Sequence, residues 1–140
     1  MKPIFFFGTL RDPELLAIVL GRALRSGDVR PARAEGVVAW QVAGEAYPML
    51  RIDETRAAEG VLFFPAARDD VEALRFYEEA EYDLLPISVH AGAEAHEALY
   101  FGATGKLSAG AGAWDYEGWR HADRAVALAA AAELMPLRET

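Results

Sequence analysis

Apolar positions fall along the chain mostly in short runs. Pro3 to Phe7 is continuously apolar, the pattern of a strand covered on both faces, and it stops at Gly8-Thr9-Leu10. Asp12-Pro13-Glu14 predicts a helix start, with Asp as the cap, Pro in the first turn and an acid near the positive end of the dipole. Leu15, Leu16, Ile18, Val19 and Leu20 follow, and Gly21 is the expected stop. Residues 29–43 are mixed, but "AEGVVAWQVAG" has strand-type Val and Trp, with Gly36 as a possible bulge. "YPMLRID" predicts a short extended piece, because the residue before Pro48 is pushed out of helical space. "AEGVLFF" predicts another strand, stopped by Pro65.

Asp69-Asp70 open a helix carrying Val71, Leu74 and Tyr77. Tyr82 to Val89 and Ala98 to Phe101 return to strand, and residues 102–113, rich in Gly, Ala and Ser, predict a loop. A long helix then runs from Asp115 to Pro136, with Trp119, Ala122, Val126 and Ala129 on one stripe. Short strands interrupted by three helices define an α+β class, and residues 1–140 are expected to form one domain with no internal repeat.

Charge narrows the partners. The net charge is -8, whereas nucleic-acid and anionic-membrane surfaces need clustered Lys and Arg, so neither is expected as a partner. The absence of cysteine removes disulfides, thiolate metal sites and cysteine nucleophiles. The first apolar run is too short for a signal peptide or a membrane span, so a soluble protein of the cytoplasm is expected.

The densest chemistry lies in "DDVEALRFYEEAEYD", residues 69–83, with seven acids and the single base Arg75. Such a run is ordinarily a solvated face. Helical geometry separates its members: at about 100° per residue, Glu78 falls about 20° from Val71 and between it and Leu74, whereas Glu79 lies about 80° away on the other side. A helix packing through Val71, Leu74 and Tyr77 therefore carries Glu78 inward and Glu79 outward. Glu81 also projects near the stripe if the helix lasts that far. An inward carboxylate with no local base should have a raised pKa, the property wanted of a general acid/base.

Other constellations carry less. "GATGKLS" is too short for a P-loop and has Leu107 at the magnesium-binding position. His90 and His96, six apart on expected strands, have no third ligand at metal spacing, and His121 in the long helix suits a solvated residue, so no metal site is expected. No serine sits in a Gly-x-Ser-x-Gly elbow. Trp114, Tyr116 and Trp119 suit core packing better than a pocket edge.

In order and spacing, "FFFGTLRD", "GEAYPML", "AEGVLFF", "LRFYEEAEYDLLPISV" and the tyrosine of "ALYFG" resemble the γ-glutamylcyclotransferase-like (AIG2-like) family over about residues 3 to 103. The tail "GAWDYEGW" is similar to that of some bacterial members. The resemblance implies a small mixed β-barrel flanked by helices, a small-molecule γ-glutamyl substrate, cyclisation to 5-oxoproline with release of an amine or amino acid, and no cofactor. It implies that Phe7, Gly8, Thr9 and Leu10 hold the γ-glutamyl unit largely through main-chain N–H groups, with Gly8 allowing close approach. It further implies that Tyr47 and Pro48 form a wall, that Glu78 is the catalytic acid/base and that Tyr82 is the tyrosine after it.

Three positions depart from the pattern: Phe7 replaces a usual tyrosine, Glu79 stands where Gly or Asp is frequent, and Asp83-Leu84 replaces a basic residue. The departure at Phe7 keeps open a second reading, a non-catalytic member that binds a small carboxylate. A plain interaction domain is the third.

Overall fold

The computed structural model describes residues 1–139. Six strands, β1 (Ile4–Phe6), β2 (Val29–Val42), β3 (Pro48–Phe63), β4 (Tyr82–Ala91), β5 (Glu94–Ala103) and β6 (Ala109–Ala113), combine with four helices, α1 (Pro13–Leu20), α2 (Arg68–Glu78), α3 (Tyr116–Ala122) and α4 (Arg124–Leu134). β1 pairs antiparallel with β3 and parallel with β5; β5 pairs with β4, β4 with β2, and β2 with β3. The ring thus closes as a five-stranded mixed barrel, and β6 adds to β2 as a sixth strand outside it.

β1 explains its own continuous hydrophobicity. Alternate side chains of a strand point to opposite faces. Phe5 and Phe7 join Ala32, Ala34, Leu62, Val89 and Ala98 from the other four ring strands and fill the barrel interior. Ile4 and Phe6 point outward under the helices, where they meet Leu15, Leu16, Val19, Leu74 and Trp119. Both faces are therefore dry.

α1 begins and ends as its local chemistry dictates. The Asp12 carboxylate accepts from the Glu14 and Leu15 N–H groups at 3.0 Å, Pro13 occupies the first turn, and Gly21 closes the helix at φ 72. Asp12 is 1% exposed and also binds the Arg124 guanidinium, which reaches Glu14 at 2.8 Å and so ties α4 to α1. Burial opposes ionisation of Asp12, but Arg124 and the two amides outweigh it and hold the pKa below the usual carboxylate range. Asp12→Ala is expected to cost about 2 kcal/mol in urea unfolding at neutral pH. The wild-type advantage should disappear in acid, because a carboxylate with a depressed pKa stabilises only while ionised.

The second clamp is Arg22, just after α1. It grips Asp70 with two nitrogens at 3.1 and 2.9 Å and Asp28 at 2.7 Å. Asp70 also accepts from the Ala66 N–H at 2.8 Å, so this acid at the start of α2 is buried and paired.

Four expectations are corrected. The two extended pieces around "YPMLRID" and "AEGVLFF" are one strand, β3, since the polar stretch between them stays paired along β2. The register shifts between Glu35 and Val37, where Gly36 adopts φ 79, as its placement suggested. Residues 102–113 are not all loop: β5 continues to Ala103, and β6 is an Ala-Gly strand held by backbone pairing to β2. The long C-terminal helix is two helices that meet at Asp123, which caps both. The expected stripe fails with it: Trp119 is buried, but Ala122, Val126 and Ala129 face solvent, and α4 packs through Ala127, Leu128, Ala131 and Leu134 instead. Finally, α2 ends at Glu78, before Glu81.

Candidate functional site

β1 delivers the chain to a single 3-10 turn at Thr9–Arg11. Within the turn Arg11 N–H donates to the Gly8 carbonyl and Asp12 N–H to the Thr9 carbonyl, both at 3.1 Å. As in any helix start, the first amides, those of Gly8, Thr9 and Leu10, find no acceptor inside the turn. These three residues line a cavity of about 400 Å³.

The hairpin between β2 and β3 supplies the facing wall. Its tip, residues 43–47, brings Ala46 and Tyr47 to the cavity, and β3 starts there with Pro48. A Cβ on Gly8 would lie 2.9 Å from Pro48 Cγ, so the missing side chain at Gly8 is what lets the proline ring close on the turn. Trp114, at the end of β6, donates its indole N–H to the Ala46 carbonyl at 2.8 Å and fixes the hairpin tip.

The end of α2 supplies the third wall. Glu78 is its last residue, and Glu79 leaves the helix at φ 68, a non-glycine residue in the left-handed region. This reversal starts β4 at Tyr82 and keeps Glu78 at the cavity. Glu78 is part-exposed through that opening and makes no hydrogen bond or ion pair among the described residues. Burial without a cation pushes its carboxyl up to about 7. Burial also raises the Tyr82 phenol, reinforced by the Tyr47 hydroxyl and by the Glu78 and Glu81 carboxylates, so Tyr82 stays protonated and available as a donor. Tyr77 is raised by burial too.

The eight positions singled out in the sequence, Phe7, Gly8, Thr9, Leu10, Tyr47, Pro48, Glu78 and Tyr82, thus line one cavity. Phe7 packs edge-on against Tyr100 and beside Phe5, filling the barrel with a ring that has no hydroxyl. Sequence reasoning passed over Tyr77 and Phe101 on the same walls, as well as the helical lid formed by Ala127 and Leu134. Trp119 was read as core; it is 3% exposed and also lines the cavity. Apolar residues of this kind carry no local mark of a site, because core and cavity wall use the same side chains. Trp114 and Tyr116 do not line this cavity; Tyr116 stacks on Trp119, Trp114 meets both rings at a tilt, and Arg11 covers the Tyr116 ring at 4.2 Å.

A barrel of five mixed strands with a helical cover, opening where β1 ends, is the architecture of γ-glutamyl cyclotransferase-like proteins. The family model "Gamma-glutamyl cyclotransferase, AIG2-like" matches residues 4–121, and the chain belongs to that family. AIG2-like protein C of Arabidopsis thaliana is 25% identical over 124 residues, which make up 86% of this chain and 70% of the relative. A solution structure of another Arabidopsis thaliana protein superposes with a TM-score of 0.65 at 19% identity, covering 99% of this chain and 93% of that one. A solved γ-glutamyl cyclotransferase shares the fold with a TM-score of 0.55 at 10% identity, covering 97% of this chain and 80% of that one. No helix among the described residues is long and apolar enough to cross a membrane.

Proposed function

We propose that the protein is a γ-glutamyl cyclotransferase: it closes the γ-glutamyl group of a small molecule to 5-oxoproline and releases an amine or amino acid. The observation that carries this reading is an unpartnered carboxyl, Glu78, held near neutral pKa on the wall of the cavity that Gly8, Thr9 and Leu10 also line.

The α-carboxylate of the γ-glutamyl unit would rest on the main-chain amides of Gly8, Thr9 and Leu10, which form an anion-binding cradle at the end of β1. Tyr47, Pro48 and Tyr82 would hold the chain folded, so that the α-nitrogen stands over its own γ-carbonyl carbon. An intramolecular attack of this kind gains much of its rate from positioning alone. The α-nitrogen starts as an ammonium ion. Glu78, as carboxylate, takes a proton from it; the amine then attacks and a C–N bond forms. The bond from the γ-carbon to the departing nitrogen breaks as Glu78 returns the proton there. Over the cycle two protons leave the α-nitrogen and both end on the released amine. The role assigned to Glu78 is worth about 10²–10⁴-fold in rate. A cysteine-free composition suits the reducing cytoplasm in which we place the protein.

The test is a panel of γ-glutamyl compounds scored for 5-oxoproline by mass spectrometry. Since Glu78 must be ionised to accept a proton, kcat/KM should hold level above about pH 7 and fall below it, approaching tenfold per unit. A profile flat down to pH 5 would separate Glu78 from the proton transfer.

The buried, hydroxyl-free Phe7 favours one second reading, a member that binds a small carboxylate without turning it over. Tight binding of a γ-glutamyl compound by calorimetry, with no 5-oxoproline released from any of the panel, would decide for it.

A further inference from the structure

We propose that Trp114 and Tyr116 are positioning residues that act from outside the cavity: Trp114 fixes the hairpin tip through Ala46, Tyr116 holds the 3-10 turn through Arg11, and together they set how tightly the γ-glutamyl unit is held; the proposal rests on the cyclotransferase reading of the site. The Trp114 main-chain N–H donates to the Ala39 carbonyl at 2.9 Å, which anchors the residue to β2. From there its indole N–H reaches the Ala46 carbonyl at 2.8 Å. Ala46, Tyr47 and Pro48 are consecutive, and all three line the cavity. Among the described residues this is the one hydrogen bond that reaches residues 44–46 from outside the hairpin. An open groove of about 740 Å³, lined in part by Gly44, Glu45, Trp114 and Gly118, lies behind the tip, so the tip has room to withdraw. Tyr116, at the start of α3, carries the half-buried Arg11 guanidinium over its ring at 4.2 Å. Arg11 is the last residue of the turn and forms no ion pair among the described residues, so the ring is what holds its side chain. Trp119 joins the two: its ring centre lies 5.9 Å from Tyr116 and 6.4 Å from Trp114, and it lines the cavity itself.

The two walls also bear on each other, because Pro48 closes on Gly8 with no side chain between them. A shift at either end therefore moves the surface on which the γ-glutamyl unit rests. Such contacts act on binding rather than on the proton transfer. The walls hold the unit before the reaction and in the transition state alike, and loss of an interaction that is equal in both raises KM and leaves kcat. Glu78 belongs to α2, and neither contact involves that helix. An uncharged hydrogen bond is worth about fivefold in an equilibrium. A guanidinium over an aromatic ring near the surface is worth about threefold.

The experiment measures kcat and KM by 5-oxoproline release from γ-glutamyl-alanine and γ-glutamyl-butylamine, one losing an amino acid and the other a plain amine. Trp114→Phe keeps a ring and removes the indole N–H; it is expected to raise KM about fivefold with kcat within about twofold of wild type. Tyr116→Leu should raise KM about threefold, while Tyr116→Phe, which keeps the ring under Arg11, should match the wild type. In all three variants kcat/KM should keep its break at about pH 7, since Glu78 is untouched. KM does not depend on how much of the protein is folded, so a purely structural role would lower the yield or the apparent kcat and leave KM alone. Unchanged KM in Trp114→Phe and Tyr116→Leu, or a Tyr116→Phe as impaired as Tyr116→Leu, would overturn the positioning role while the cyclotransferase reading stands. A fall in kcat with a displaced pH break would overturn it too, by placing the pair in the chemistry. If the wild type releases 5-oxoproline from neither compound nor from the rest of the panel, the cyclotransferase reading falls and this one with it.

Discussion

Glu78→Gln is expected to lower kcat by at least about 10²-fold and, in the same protein, to raise stability at pH 8 by about 2 kcal/mol. The two effects have one cause. In the folded protein burial lifts the Glu78 carboxyl to about 7, against an ordinary value of 4.5. Between those two pH values the unfolded chain ionises while the folded chain stays protonated, so stability falls as pH rises through that window and then levels off above about 7. Gln has nearly the same shape and never ionises, so it escapes the loss. Its advantage should be full at pH 8, correspond to about 5 °C in Tm, and vanish near pH 4, where Glu78 is protonated in both states. Thermal unfolding of the two proteins at pH 8 and pH 4, alongside turnover, measures both effects. Wild-type turnover in the variant would remove Glu78 from the chemistry. A lower Tm at pH 8 would mean that the carboxylate is paired rather than stranded.

The second large effect is expected at Gly60, in the part of β3 that runs beneath β1. A Cβ there would stand 2.1 Å from the Phe6 carbonyl oxygen and 2.9 Å from Phe5 Cε1. The carbonyl is backbone and has no rotamer to yield, so β1 itself must move. Gly60→Ala is expected to cost about 3 kcal/mol or more by denaturant unfolding. Because β1 ends in the turn of Gly8, Thr9 and Leu10, surviving folded protein should also lose at least about tenfold in kcat/KM through a displaced cradle. Gly105→Ala is the matched control: a Cβ there meets nothing within 4 Å. It should leave stability unchanged or slightly raised. Equal stability of the two variants would mean that β1 packs less closely on β3 than described.

The sequence shows these devices unevenly. The cap at Asp12, the stop at Gly21 and the kink at Gly36 are legible because each is a bargain between a residue and its nearest neighbours in the chain. Glu78 is half legible. Helical phase against Val71 and Leu74 turns it inward, but its pKa depends on what lies inside, and Gly8, Tyr47 and Leu134 come from distant segments. Gly8 was expected to make room for a ligand; the structure adds that the near neighbour is Pro48, forty residues away. β6 was hidden because an Ala-Gly strand pairs through its backbone and shows almost no side-chain pattern. The division at Asp123 was hidden because either half of the segment is a good helix, and a break there shows only in how α3 and α4 pack against the core and α1.

What the sequence determined by itself is therefore local: the helix caps, the two-faced hydrophobicity of β1, and the side of α2 on which Glu78 lies. What only the tertiary structure decided is the closing of five strands into a ring, the joining of two extended pieces into β3, and the desolvation that moves Glu78 toward neutral pKa. The physical reason is range. Capping bonds and side-chain alternation act over one turn or two residues of chain, whereas exclusion of water from a carboxyl requires several separate segments to converge on it.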